Sequence, residues 1–148
     1  MSTLTQTIKA VKSGDGSLLD AMLAVQDIDG YLTEQALEEI AQAYGMPLTQ
    51  LYETATFYSM LRFAPVGKIV IQVCRNAPCH VAGAGETVAA FEQALGIPIG
   101  GTTKDSAFTL EYTECIGQCQ ASPSVLVNGA LHTGVTADKV PALLKALA

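Results

Sequence analysis

Apolar residues in the first half of the chain recur every three or four positions, which is the spacing of an amphipathic helix. Thr33 is a suitable N-cap for one of these segments and Gly45 a suitable end for it. Pro47 opens the segment that follows, since proline fits the start of a helix. We expect a short bundle, too small to make a large core alone, that rests on the next domain or on a partner. The predicted helices cover residues 18–26, 36–44 and 48–55.

The pattern changes after Pro65-Val66-Gly67, where short β-branched and alternating runs replace the helical stripes. Runs of this length and composition are typical of strands, and Asn128-Gly129 is a strong signal for a two-residue hairpin turn. The change of period predicts a domain boundary near Pro65. The predicted strands cover residues 68–73, 108–113, 125–127 and 130–132.

Two further helices are predicted in this second half. One begins near Val81, directly after Cys79, and ends at Gly96. The other covers residues 140–147 and closes the chain. The order β, α, β, β, β, α, with a right-handed crossover and a hairpin, is a thioredoxin-like layout. We therefore predict an α/β chain in two parts. A helical bundle spans residues 1–64, and a thioredoxin-like domain spans residues 65–148.

Charge excludes one class of partner. The net charge is −6, and only eight Lys and Arg residues are scattered along the 148 positions. A nucleic-acid-binding protein usually carries a basic face, so no nucleic acid is expected. The acidity is concentrated in residues 1–66, which hold eight acids and three bases. This half is either a solvated surface or a patch that complements a partner protein.

The chain also lacks the sequence signals of membrane insertion and secretion. No apolar run approaches the roughly 20 residues that span a bilayer. The N-terminus has no basic segment followed by an apolar stretch, so no secretory signal is expected. We therefore predict a cytoplasmic protein, in a compartment where disulfides are rare.

The four cysteines form two close pairs, Cys74 with Cys79 and Cys115 with Cys119. Each pair follows a predicted strand, so all four thiols are expected at one end of the sheet. Four thiolates suit a zinc ion or an iron–sulfur cluster. Zinc knuckles usually have two residues between cysteines, whereas a four-residue gap is familiar from plant-type ferredoxins. From the residues alone, a 2Fe–2S cluster, a zinc site, and disulfides or free thiols all stay open.

Two other motifs near the first pair carry less weight. His80 lies beside Cys79, and histidines replace two cysteines in Rieske centres. With four cysteines available, an exposed histidine is the simpler interpretation. Gly83-Ala84-Gly85 hints at a dinucleotide loop, but Val88 occupies the position of the third glycine and no acid follows at the expected distance. These small residues more simply allow close helix packing.

Several blocks of sequence occur in the same order as in one known family. The chain resembles the thioredoxin-like 2Fe–2S subunit of NADH-dehydrogenase modules. This family includes the 24-kDa-type subunit of complex I and its relatives in NAD-linked hydrogenases, electron-bifurcating hydrogenases and formate dehydrogenases. The resemblance extends from about residue 15 to the end. The blocks are Glu53-Thr54-Ala55-Thr56-Phe57-Tyr58, the Cys74/Cys79 pair, Phe108-Thr109-Leu110-Glu111, Glu114-Cys115-Ile116-Gly117-Gln118-Cys119, Pro123 and Val127-Asn128-Gly129.

The resemblance implies one 2Fe–2S cluster on Cys74, Cys79, Cys115 and Cys119. It also implies a flavoprotein partner that binds FMN, NAD(P)H and a 4Fe–4S cluster, with other iron–sulfur subunits beyond it. The chain would then be an electron-transfer subunit of an oxidoreductase, with no catalysis of its own. Because the helical bundle has no cysteine but carries most of the negative charge and several apolar stripes, we infer that it docks the flavoprotein. Val127-Asn128-Gly129 and the short C-terminus favour a hydrogenase or formate dehydrogenase over complex I.

Two alternatives from other classes remain. One is a free-standing thioredoxin-like 2Fe–2S ferredoxin, which would need only the residues from about 65 onward. The other is a zinc-stabilised interaction module.

The chain departs from the usual family pattern at a few positions, none of which removes a cysteine. Gln118 and Ser122 stand where alanine is common. We expect Gln118 to add a hydrogen bond near the cluster and so to affect its potential. The other departures are Gly101, Ser106 and His132.

Overall fold

The computed structural model describes residues 3–147. The chain divides into two compact units, and the division falls between Pro65 and Val66. Residues 1, 2 and 148, at the outer ends of the two predicted domains, lie outside the described part. Within residues 3–147, no helix is both long enough and apolar enough to span a bilayer.

The first unit is helical. Three of its helices match the predicted segments, whereas α1 was not predicted. Leu4, Ile8 and Val11 of α1 have helical spacing, and Ile8 is buried, but the predicted helices did not include this segment. Thr33 caps α3 as expected, since its hydroxyl accepts a hydrogen bond from the Ala36 N–H at 3.1 Å. Gly45 ends α3 in the left-handed conformation. The helices are α1 (Thr3–Ser13), α2 (Leu18–Asp29), α3 (Glu34–Tyr44) and α4 (Leu48–Phe57).

In the part of the chain that the structure describes, these helices share a core of eleven buried residues, more than the expected narrow apolar faces would supply. The prediction from the sequence considered only the apolar faces of three helices. It did not include α1 or the segment after α4, and both contribute buried residues. The buried members of this core are Ile8, Met22, Val25, Leu32, Ala36, Leu37, Ile40, Ala41, Leu51, Ala55 and Leu61.

A buried amide ties the segment after α4 to α2. The Gln26 side chain is 6% exposed. Its Nε2 donates to the Met60 carbonyl at 3.0 Å, and its Oε1 accepts from the Arg62 N–H at 2.6 Å. Both polar ends of the buried side chain are therefore satisfied. The periodic pattern placed Gln26 on the apolar face correctly but gave no sign of these partners.

The second unit is a four-stranded mixed sheet with helices, and its strands match the predicted segments. The strand order is β2-β1-β3-β4. Strand β1 runs parallel to β2 and antiparallel to β3, while β3 and β4 form the hairpin turned by Asn128-Gly129. The elements are β1 (Ile69–Cys74), α5 (Ala77–Val81), α6 (Ala84–Leu95), β2 (Phe108–Thr113), β3 (Val125–Val127), β4 (Ala130–His132) and α7 (Val140–Leu147).

The helix predicted to begin near Val81 is two helices. Short α5 contains Cys79, and α6 begins at Ala84 after Gly83, whose φ of +97° is left-handed. A left-handed residue cannot continue a right-handed helix, so Gly83 separates the two segments. Val81, the predicted start, is the last residue of α5 and is 87% exposed. The apolar spacing alone did not reveal this break.

The fold brings two loops to the same edge of the sheet. Because β1 and β2 are parallel, their carboxyl ends lie side by side, and Cys74 is opposite Thr113 in the register. The core beneath these strand ends is formed by residues from the sheet, α6 and α7, including Ile71, Phe91 and Val140. The chain that leaves β1 and the chain that leaves β2 therefore begin as neighbours.

Candidate functional site

The four cysteines lie in the loops and turns at this edge. Cys74 is the last residue of β1, and Cys79 lies in α5. Cys115 follows the end of β2 by two residues, and Cys119 opens the short 3-10 turn Cys119–Ala121. All four are free cysteines. The first pair is buried and the second pair is exposed, so the site has an inner and an outer side.

Electrostatic contacts connect the four thiols. Cys74 and Cys79 share a hydrogen bond, and the Sγ atoms of Cys115 and Cys119 are 3.5 Å apart. The hydrogen bond with Cys115 raises the pKa of the Cys119 thiol, and the charges of Cys79 and Cys74 add to this rise. Ser122, three residues after Cys119, lies 3.3 Å from the Cys79 Sγ, so the two cysteine loops lie side by side.

Backbone N–H groups point at the sulfur atoms. Burial raises the pKa of the Cys74 thiol, while N–H groups of Asn76 and Ile116 oppose the rise by stabilising the thiolate. The Gly117 N–H donates to the Cys115 Sγ at 3.4 Å. A cluster with four thiolates is an anion, and such donors stabilise negative sulfur. The Asn76 donor lies where the loop after β1 enters α5, whereas Ile116 and Gly117 belong to the loop after β2.

Two serines contact the buried Cys79. The Ser122 Oγ lies 3.3 Å from the Cys79 Sγ and also donates to the Cys119 carbonyl at 2.8 Å. Burial acts to raise the pKa of the Cys79 thiol, but hydrogen bonds from the Ser122 hydroxyl and the Ser124 N–H outweigh it and lower that pKa. Ser122 was noticed in the sequence only because it stands where alanine is common.

Gln118 does not have the expected role in this structure. Its Oε1 accepts a hydrogen bond from the Gln120 Nε2 at 2.9 Å, which directs the amide toward a neighbouring side chain. The side-chain oxygen at 3.3 Å from a cysteine sulfur belongs instead to Ser122, four residues further on. The sequence could not distinguish the two, because both residues depart from the same family pattern.

An ion pair joins the two cysteine loops. The Arg75 guanidinium binds the Glu114 carboxylate, and the Asn76 Nδ2 donates to the same carboxylate at 3.2 Å. Arg75 lowers the pKa of the Glu114 carboxyl through this hydrogen-bonded pair. Because both side chains are more than half exposed, the pair contributes little stability. The pair links the sequence neighbours of Cys74 and Cys115 across the two loops.

Among residues 3–147, no group of three or more His, Cys, Asp or Glu side chains is arranged to hold one metal ion. The thiols instead form two pairs, and His80 is exposed beside them. A binuclear cluster takes two thiolates at each iron, so paired thiols with N–H donors around them suit it. The donor set therefore fits a 2Fe–2S cluster.

The family model for thioredoxin-like [2Fe-2S] ferredoxins matches residues 4–148. An NADH-quinone oxidoreductase subunit of Rhizobium meliloti is 36% identical over 129 residues, which cover 87% of this chain and 77% of that protein. The HndA subunit of an NADP-reducing hydrogenase of Solidesulfovibrio fructosivorans is 32% identical over 141 residues, which cover 95% of this chain and 82% of that protein.

A solved structure of an NAD+-reducing [NiFe]-hydrogenase in the air-oxidized state gives a TM-score of 0.74 at 25% identity. The match covers 85% of this chain but only 22% of that chain. These findings confirm the resemblance and the α/β thioredoxin-like fold predicted from the sequence, and they decide for an iron–sulfur cluster over zinc. The chain belongs to the thioredoxin-like [2Fe-2S] ferredoxin family, and its cofactor is a 2Fe–2S cluster.

Proposed function

We propose that this chain is the one-electron carrier subunit of a multi-subunit, NAD(P)H-linked flavin and iron–sulfur oxidoreductase. Cys74, Cys79, Cys115 and Cys119 would be the ligands, with one iron on each pair. The observation that carries the proposal is the meeting of the two thiol pairs at one sheet edge, with backbone N–H groups directed at them.

The bound cluster would accept one electron and pass it on. The protein's part is to hold the thiolates and to stabilise their negative charge. Backbone donors do this at Cys74 and Cys115, and the Arg75–Glu114 pair links the two loops. Because the outer pair of cysteines is exposed and the inner pair buried, electrons would enter and leave on the outer side.

The partner is proposed to be a flavoprotein that binds FMN, NAD(P)H and a 4Fe–4S cluster, with other iron–sulfur subunits beyond it. The names of the two relatives, both subunits of NAD(P)-linked enzymes, support a complex of this kind. We propose that the complex to which this subunit belongs is a hydrogenase or a formate dehydrogenase, on the basis of Val127-Asn128-Gly129. We also retain the cytoplasm as the proposed location.

The helical unit, residues up to Pro65, is proposed to dock this flavoprotein. It carries four exposed apolar side chains on α4 and the segment after it: Leu48 (38% exposed), Tyr52 (49%), Phe57 (83%) and Met60 (53%). Exposed aromatic residues and methionine are enriched in protein interfaces. A free-standing ferredoxin, the alternative, would have no use for this unit, which contains no cysteine.

The isolated chain, loaded with its cluster, is expected not to be reduced by NADH. Val88 stands where a dinucleotide loop would need its third glycine, and its side chain is buried in the core. Without a flavin, hydride transfer has no acceptor here. The measurement is the visible spectrum after addition of NADH under anaerobic conditions.

Dithionite, which supplies single electrons, is the positive control and should bleach the same sample. Addition of the co-purifying flavoprotein should then allow NADH to bleach it as well. Rapid bleaching by NADH alone, or no bleaching in the reconstituted pair, would contradict the proposed function.

A further inference from the structure

The Ser122 hydroxyl lies between two possible acceptors. Its Oγ is 3.3 Å from the Cys79 Sγ and 2.8 Å from the carbonyl oxygen of Cys119. Cys79 is only 2% exposed, so water does not compete freely for its sulfur. A hydrogen bond at such a site is stronger than the same bond in water.

One hydroxyl has one proton, so it can donate to only one of these acceptors at a time. When Cys79 is a free thiol, its S–H can donate to the Ser122 oxygen while Ser122 donates to Cys119. An iron-bound thiolate has no proton, and only the hydroxyl can then supply one to the contact. Rotation about the Cβ–Oγ bond moves the proton from the carbonyl to the sulfur without moving a heavy atom.

We propose that Ser122 sets the reduction potential of the cluster by donating a hydrogen bond to the sulfur of Cys79. This inference rests on the proposed ligation by Cys79. Reduction adds one electron to the cluster, no bond of the protein breaks, and the proton stays on the Ser122 oxygen. Because the added charge makes the sulfur a better acceptor, the hydrogen bond favours the reduced state and raises the potential.

Ser122 differs from the other donors around the thiols in one useful respect. The donors to Cys74 and Cys115 are backbone N–H groups, which a substitution does not remove. The hydroxyl of Ser122 can be deleted by Ser122→Ala, and Ser122→Thr restores a hydroxyl at the same position. The change to alanine is small, and alanine is common at this position in the family that the sequence resembles.

The test is a redox titration of the full-length, cluster-loaded chain, monitored by the EPR signal of the reduced cluster. Ser122→Ala should lower the potential and Ser122→Thr should keep it near the wild-type value. The expected change in the ratio of reduced to oxidised cluster is about threefold to tenfold, or roughly 30 to 60 mV for a one-electron couple. Iron content and the visible spectrum should be unchanged.

Gln118→Ala is the matched control, since its amide bonds to Gln120 and not to a sulfur. It should leave the potential unchanged. Pulsed EPR in D2O gives a second readout, because Ser122→Ala should remove a deuteron coupling that Ser122→Thr keeps. Loss of the cluster from the alanine variant, with or without loss from the threonine variant, would make the role of the hydroxyl structural and overturn the inference.

Equal potentials for wild type, Ser122→Ala and Gln118→Ala would overturn the inference. Cys79→Ser separates that result from failure of the proposed function. If Cys79→Ser loses the cluster while these potentials coincide, only the role of Ser122 is wrong. If Cys79→Ser keeps the wild-type iron content and EPR signal, the ligand assignment itself is wrong.

Discussion

Replacing Cys74 or Cys79 by serine should remove the 2Fe–2S cluster from the purified chain. These thiols are buried, so a water molecule or another side chain cannot easily take their place. Loss of a residue that only orients a metal ligand costs about 10–100-fold in affinity. Loss of the ligand should cost at least as much. The measurement is iron and acid-labile sulfide per chain, with the visible spectrum of the anaerobic protein.

Cys115→Ser and Cys119→Ser should also weaken the cluster, but less completely, because their exposed side allows another ligand to approach. His80→Ala is the matched control, since His80 is the exposed neighbour of Cys79 in the same short helix. It should keep full iron content. Loss of the cluster in the His80 variant, or full retention in the Cys79 variant, would contradict the all-cysteine ligand set.

Removal of the helical unit should separate cluster binding from partner binding. A fragment of residues 66–148 retains its own core and all four cysteines. It should therefore keep the cluster spectrum but no longer co-elute with the flavoprotein. A fragment that co-elutes with full affinity would refute the docking role. A fragment that unfolds and loses the cluster would show that the helices support the thioredoxin-like domain instead.

A point variant tests the same surface in the full-length chain. Phe57→Asp places a charge at the most exposed of the apolar residues on α4. If Phe57 is central to the interface, the cost is about 2 kcal/mol or more, which is roughly 30-fold in Kd. Gln50→Asp adds the same charge at an exposed polar position on the same helix and should have a much smaller effect.

The strands and the hairpin could be predicted from the sequence because their signals are local. The β-branched run before Cys74 has the length of a strand. Asn128 and Gly129 both have positive φ, as a two-residue hairpin turn requires. By contrast, the break between α5 and α6 depends on the left-handed conformation of Gly83, which an apolar periodicity does not register.

The four cysteines stood out in the sequence as candidate ligands, although the residues alone left zinc and disulfides open and only the family resemblance favoured a 2Fe–2S cluster. Their surroundings could not be predicted. Ser122 and Cys79 are 43 positions apart, and Arg75 and Glu114 are 39 apart, so these contacts exist only once the sheet brings the two loops together. Both Gln118 and Ser122 depart from the family pattern and we expected Gln118 to make the contact, but the directions of the side chains assign the sulfur contact to Ser122.

Metal and sulfide analysis of the wild-type chain tests the central claim most directly. Anaerobically purified protein should contain about two irons and two labile sulfides per chain, the composition of a 2Fe–2S cluster. Reduction by one electron should produce the EPR signal of a single paramagnetic centre. Stoichiometric zinc with no labile sulfide in the same preparation would contradict the account.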